Sequence, residues 1–381
     1  MKKIVYVCYS PLTTVYENIF YVFGLKDSGI SVEYWDLSKA YFKDISFTNV
    51  IERDYVRKID TLKELEKAIK SEDSDTLYFL IITYSIKTLS LYRIFTRNKC
   101  RLGFFERGML PSVATGVGVL KKISKLFSLN RTALISILLT RVACILRKTG
   151  YVKKFDIVFA AGSKAYSIHE KTCRVVPVNY FDYDNYMSLR NSSVRIVAGQ
   201  YVVYLDDNII DDSDYEIIGV KSIDAQEYYS VMSNYFSLIE NKFNVKVVIA
   251  AHPKSNYIKN PFSEREIIIN KTNDLVKDSL FVLAHYSTSI SYAVLYEKPV
   301  LFIFTDAMRK KPYFSTILAF AKELEFVPLN INAIKSIDDI GVGTIKKEVY
   351  DKYKYLYLTS RQSEKEYSNS IVLKTLTEEA T

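Results

Sequence analysis

Two short stretches about 35 residues apart carry side chains suited to handling a phosphate. His252-Pro253-Lys254 follows the apolar run Val245–Ala250, and Ser287-Thr288-Ser289 follows the apolar run Leu280–Ala284. Runs of that length read as buried strands, so both sets stand where strands of an open α/β sheet end and its ligands bind. Pro253 forbids helical continuation and holds His252 extended. An imidazole there can donate to a phosphate oxygen and, when protonated, neutralise charge on a leaving phosphate. Ser287, Thr288 and Ser289 open a predicted helix, where hydroxyls and free backbone N–H groups form an anion site. The plainer role of the same residues is a helix cap. Two such ends in adjacent βα units favour the functional reading.

A pair of carboxyls, Asp206-Asp207-Asn208, closes the first predicted strand of the second half and also faces the ligand side. Adjacent residues on an extended segment point in opposite directions, so only one of the two can aim at a substrate. Asp211, Asp212 and Asp214 continue as an acidic stretch whose spacing is not a calcium loop, and a solvated loop is its reading. Near the start, Tyr9, Ser10, Thr13 and Thr14 follow the first strand and either line a substrate site or act as loop and cap residues.

These residues need strands and helices to position them, and the chain alternates the two. In the first half Lys3–Cys8, Ser31–Asp36, Thr76–Thr83, Arg101–Phe105 and Asp156–Ala161 read as strands, with Val15–Asp27, Thr61–Ser71 and Ile86–Arg97 as helices. In the second, strands Gln200–Leu205, Val245–Ala250, Glu266–Ile269, Leu280–Ala284 and Pro299–Phe304 alternate with helices Ala225–Phe243, Thr272–Asp278 and Ser289–Tyr296. Such alternation implies parallel sheets covered on both faces. Two Rossmann-like α/β domains in tandem are expected, over 1–190 and 191–345, separated by an irregular connector at Val176–Gly199. A helical tail, 346–381, is expected to pack back on the first domain.

Bulk composition narrows the class. With 49% hydrophobic and 25% charged residues the chain is globular throughout. Its four cysteines show no paired spacing, which argues against a structural zinc or a disulfide framework and for a reducing, cytoplasmic setting. Met1-Lys2-Lys3 runs directly into Ile4–Val7, too short for a signal peptide. The net charge of +9 is localised: between Glu106 and Asp156 there are ten cations, from Arg107 to Lys154, and no acid. Within that stretch Leu120, Ile123, Leu126 and Phe127, then Leu134, Ile135, Leu138, Leu139, Val142, Ile145 and Leu146, recur at helical spacing. Three readings stand: core helices with a solvated basic face, an interfacial helix on an anionic membrane, or a nucleic-acid surface. Nucleic acid is the least favoured partner.

The pair of motifs resembles the bacterial CMP-sugar transferases of B-type glycosyltransferase fold, which act with sialic acids, related nonulosonates and Kdo. In those families a His-Pro motif and a Ser-Ser or Ser-Thr motif bind the nucleotide; the matching residues are His252-Pro253 and Ser287-Thr288, or Thr288-Ser289. The resemblance also implies an acid in the first domain that deprotonates the acceptor, matched by Glu106 in Glu106-Arg107-Gly108, with Arg107 where the family has a second acid. Asp206 or Asp207 is the rival base. Glu297-Lys298-Pro299 resembles the acid plus Lys-Pro that touches the nucleotide ribose in many B-type transferases. The implied activity is inverting transfer of a nonulosonate from a CMP-sugar to a surface glycan on a lipid carrier. His252, Lys254 and Ser287–Ser289 would stabilise departing CMP, Arg107 would meet the donor carboxylate, and no metal or other cofactor would be needed. A peripheral position on the inner face of the plasma membrane, through 107–154, would follow. A UDP-, GDP- or dTDP-sugar donor is the alternative within the fold, and a non-catalytic glycan- or nucleic-acid-binding protein the alternative outside it.

Overall fold

The computed structural model describes residues 2–42, 45, 47, 49–112, 131–210 and 222–379, without the side chains of 131–138. The Asp211, Asp212 and Asp214 stretch and the apolar positions from Leu120 to Phe127 lie outside the described residues, as do the side chains of Leu134, Ile135 and Leu138. Contacts divide the chain into two compact units. Unit 1 comprises Met1–Arg107, Thr115–Val178 and Gln362–Thr381; unit 2 comprises Gly108–Ala114 and Asn179–Arg361.

Unit 1 holds strands β1 (Lys3–Cys8), β2 (Ser31–Asp36), β3 (Val56–Lys58), β4 (Leu77–Ile81), β5 (Arg101–Glu106), β6 (Ile157–Ala161) and β7 (Arg174–Val178), in the order β3-β2-β1-β4-β5-β6-β7 and all parallel. Among the described residues up to Val178 its helices are α1 (Thr14–Ile19), α2 (Val22–Asp27), α3 (Ser38–Tyr41), α4 (Leu62–Lys70), α5 (Leu89–Arg97), α6 (Arg131–Lys148) and α7 (Gly162–His169). The expected helix 15–27 is two helices, broken where Tyr21 takes φ 56. The inner strands β1, β4 and β6 are buried apolar runs, as a sheet covered on both faces requires, while the edge strand β3 is open to solvent. Across them Phe20, Tyr6, Phe79, Phe105 and Phe159 stack with centroids 4.7–5.4 Å apart, each pair contributing about 0.5–1.5 kcal/mol beyond its buried area.

Unit 2 repeats the scheme with α8 (Phe181–Leu189), β8 (Tyr201–Leu205), α9 (Ala225–Phe243), β9 (Lys246–Ala251), β10 (Ile267–Ile269), α10 (Thr272–Asp278), β11 (Val282–Ala284), α11 (Ile290–Leu295), β12 (Val300–Phe304), α12 (Phe314–Glu323), β13 (Leu329–Asn330) and α13 (Lys347–Tyr353). Its strand order, β10-β9-β8-β11-β12-β13, is again parallel and doubly wound. The strands, with α9, α11 and α12, bury one continuous apolar core.

The stretch 176–199 is irregular mainly from 190 onward. It finishes β7 and contains α8, which packs on α10 and α11. Its apolar positions Tyr183, Tyr186 and Met187 have helical spacing, but Asp and Asn between them obscure it. Residues 179–190 therefore join unit 2. The tail divides likewise: 346–361 packs in unit 2, and α14 (Ser368–Glu378) packs in unit 1. There Leu373 lies so close to α2 that a Cβ on Gly24 would meet its Cδ1 at 2.9 Å, so glycine allows that approach.

Candidate functional site

In unit 2 the strand order reverses between β8 and β11, and the crevice beyond the carboxyl ends at such a reversal is where open α/β sheets bind ligands. Three strand ends supply it. β8 delivers Asp206-Asp207-Asn208, β9 delivers His252-Pro253-Lys254, and β11 delivers His285-Tyr286-Ser287. His252 and the hydroxyl cluster are thus not on adjacent strands, because β8 runs between them and puts the two aspartates in the middle.

Asp206 joins the strand ends. It is buried, its Oδ1 accepts from the Asn208 N–H at 3.1 Å, and its Oδ2 accepts from His252 N at 3.2 Å, Ser255 Oγ at 3.0 Å and the Tyr257 hydroxyl at 2.6 Å. With its oxygens engaged in this way it orients the loop after β9 rather than taking a proton from a substrate. The rival-base reading therefore does not fit Asp206.

The loop it orients is a β-turn closed by Ser255 N to His252 O at 2.8 Å, with Pro253 at the position that favours its fixed φ. Within the turn Lys254 N donates to His252 Nδ1 at 3.2 Å. A ring nitrogen that accepts is unprotonated, so the neutral ring carries its proton on Nε2 and offers it as a donor. Pro253 and Lys254 are exposed and His252 is half-buried.

Asp207 joins the other flank. Its Oδ2 accepts from Tyr286 N at 3.3 Å, and the Ser287 hydroxyl bonds to it. Burial, reinforced by the neighbouring Asp206, raises its carboxyl well above the usual range against those two donors. Ser287 Oγ also accepts from Ser289 N at 3.3 Å, while Thr288 is exposed and shares a hydrogen bond with Tyr180. Ser289 is the N-cap of α11, without a side-chain cap bond. Because α11 is only six residues long, its dipole is short and the hydroxyls carry more of any anion affinity than the helix does.

Under the crevice lies a buried polar chain. His285 is fully buried, its Nδ1 donating to Ile303 O at 2.6 Å and its Nε2 accepting from the Tyr228 hydroxyl at 3.0 Å; Tyr228 is 2.8 Å from the Tyr204 hydroxyl. Burial lowers the imidazole from 6.5 to about 4, so it stays neutral.

Glu297 is separated from this set. α11 runs back along the sheet, so Glu297 lies just before β12 at the amino ends of the strands, exposed, with Lys347 Nζ 3.6 Å away. The ribose-contact reading is corrected on that ground.

In unit 1, Glu106 ends β5, partly exposed, with Oε2 3.2 Å from His169 Nε2 on α7. The next side chain turns to the other face. Arg107 donates to the Tyr21 hydroxyl and, at 2.9 Å, to Ile19 O, and its guanidinium lies 4.6 Å from the Phe105 ring. Holding a donor carboxylate would require exchanging those bonds. Gly108 takes φ 118, which glycine adopts at little cost. Thr13 caps α1 by accepting from Tyr16 N at 3.2 Å, and Ser10 O accepts from the Tyr34 hydroxyl at 2.8 Å.

Sequence reasoning missed Ser255, Tyr257 and Tyr286, all recruited by the aspartates. The usable signal was Ser255, three residues after a histidine followed by proline, the spacing of a β-turn. Among the described residues no group of three His, Cys, Asp or Glu is placed to hold a metal ion.

Comparison with solved structures completes the description of the fold. The wall teichoic acid polymerase TagF superposes with a TM-score of 0.53 at 11% identity, over 100% of this chain and 90% of TagF. This chain carries the B-type glycosyltransferase fold. The glycosyltransferase SnogD from Streptomyces nogalater is similar at a TM-score of 0.49 and 10% identity, over 99% of each chain. A UDP-GlcNAc 2-epimerase from Methanocaldococcus jannaschii is similar at 0.45 and 13%, over 99% of this chain and 100% of the epimerase. No family model and no curated protein matches the sequence.

Proposed function

We propose that this chain is an inverting glycosyltransferase whose nucleotide-sugar donor binds in unit 2 at the reversal of strand order. The observation that supports this most is the Asp206 clamp, which orders a His-Pro turn with the imidazole proton on Nε2 beside a hydroxyl cluster held by Asp207. A donor imidazole, serine hydroxyls and a nearby lysine suit a phosphate ester that gains charge as its glycosidic bond breaks.

The donor in this reading is a CMP-nonulosonate, and the acceptor a glycan on a lipid carrier at an anionic membrane surface. The acceptor hydroxyl gives its proton to Glu106 and its oxygen attacks the anomeric carbon. The bond from that carbon to the phosphate oxygen breaks with inversion, and its electron pair stays on CMP. His252, Lys254 and Ser287–Ser289 stabilise the departing nucleotide, so the step requires no metal. His169 orients the Glu106 carboxylate.

Thermal stabilisation of the purified chain by CMP, CDP, UDP, GDP and dTDP, repeated on His252→Ala, tests the reading, since a ligand that binds the native state raises its apparent stability. A shift by the cytidine nucleotides alone, lost in the variant, is expected. A shift by another nucleotide moves the donor assignment and keeps the reaction class. No shift by any of them favours a non-catalytic binding protein.

A further inference from the structure

Unit 1 contains a cavity of about 390 Å³ between α6 and α7, which shares His169 with the Glu106 carboxylate and otherwise includes no residue given a role above. Arg147, Lys148 and Lys154 line it with Phe155, Ile168 and His169, and no lining residue is acidic. Lys148 and Lys154 are exposed at its mouth, and Arg147 is braced against the rings of Phe155 at 5.3 Å and Tyr84 at 5.4 Å. A cavity lined in this way suits a phosphate.

Exposed apolar side chains stand on the same two helices. Ile145 of α6 is 59% exposed and Ile168 of α7 is 52% exposed, with Val142 and Leu139 further along α6 also open. Between 139 and 150 only Ala143 is buried. Over the described part of α6 the apolar positions Leu139, Val142 and Ile145 and the cations Arg141 and Lys148 are all exposed, so neither set is packed in the core. Arg141 at i−4 and Lys148 at i+3 flank Ile145 on the same exposed face. A solvated basic helix has no use for isoleucine there, and a buried helix has no use for the cations. Both fit the boundary between headgroups and acyl chains, where apolar tips enter the bilayer and cations meet phosphates.

We propose that the α6–α7 face of unit 1 seats on an anionic bilayer, a lipid phosphate entering the cavity of Arg147, Lys148 and Lys154 while Ile145 and Ile168 enter the acyl boundary. Charge complementarity identifies the occupant, because the described cations of this face are Arg141, Arg147, Lys148 and Lys154, and the sequence between Glu106 and Asp156 holds no acid. The proposal rests on the membrane-surface part of the function proposed above and is independent of the donor.

The test is cosedimentation of the full chain with phosphatidylcholine vesicles, with and without phosphatidylglycerol, for the wild type and two double variants, Lys148→Glu/Lys154→Glu and Ile145→Ser/Ile168→Ser. All of these positions are exposed, so melting temperature and nucleotide-induced stabilisation should be unchanged in both variants. Wild-type binding only to the anionic vesicles is expected, weakened by about tenfold or more in each variant. Equal binding to neutral vesicles, no binding to either, or full binding by the isoleucine variant would overturn it. So would stabilisation by sn-glycerol 3-phosphate in a chain that ignores vesicles, which would make the cavity a site for a soluble phosphate. Nucleotide stabilisation without vesicle binding sinks this proposal and leaves the donor site standing; vesicle binding without nucleotide stabilisation does the reverse.

Discussion

Replacing Asp206 with alanine should loosen the His252 turn while leaving in place every side chain proposed to contact the donor. The side chain accepts from His252 N, Ser255 Oγ and Tyr257 OH through one oxygen and from Asn208 N through the other. Hydrogen bonds to a charged group contribute about 1.5–3 kcal/mol each, but three donors on one atom are not additive, and the half-exposed Tyr257 can rehydrate. The buried share, mainly the His252 amide and the Ser255 hydroxyl, amounts to about 3 kcal/mol for opening the turn. Native-state hydrogen exchange reads this directly: protection of the His252 amide should fall by about a hundredfold in Asp206→Ala. Asp206→Asn should fall between the two, since one acceptor remains while its amide group faces other donors. Tyr257→Phe should cost about 1 kcal/mol and leave the amide protected. If Asp206→Ala keeps its His252 protection within about threefold of wild type, the clamp is not what orders the turn, and the argument that Asp206 positions His252 fails.

The interior and the two carboxyl sites give further expectations. His285 is held neutral by the fold with its pKa lowered from 6.5 to about 4, so the unfolded chain binds its proton at higher pH than the folded one. Stability is therefore intact above 6.5 and falls by up to about 3 kcal/mol as pH drops toward 4, and in urea unfolding His285→Gln should lose less stability than wild type over that window. Asp207 is shifted upward, so the folded chain keeps that proton longer; stability from this group is present below 3.8 and declines as pH rises. Asp207→Asn, which mimics the protonated form and keeps an acceptor for Tyr286 N, should melt higher than wild type at pH 8, with the gain shrinking in acid. Glu106→Gln should lower kcat with the cognate donor by about a hundredfold or more while nucleotide stabilisation is unchanged; an unchanged kcat would remove Glu106 as the base.

Local sequence determined much of this molecule. Runs such as Lys3–Cys8 and Ser31–Asp36, and helices Ala225–Phe243 and Thr272–Asp278, have the bounds their patterns predict, because burial on both faces of a parallel strand and on one face of a helix leaves a period that needs no partner to be read. Pro253 likewise marked the point after β9 where no helix follows. Tertiary structure decided the rest. That β8 inserts between β9 and β11 follows from the winding of the sheet, and it makes Asp206 the joint that holds the turn after β9 and Asp207 the partner of the residues after β11. Glu297, 10 residues after Ser287, lies at the opposite ends of the strands because α11 carries the chain back along the sheet. Arg107 reads as a free cation in sequence and is a brace to Ile19 and Tyr21 in the fold. Period and punctuation are local properties of a chain, whereas the partner of a polar group is set by whichever strand is laid beside it, and that is decided only when the whole sheet forms.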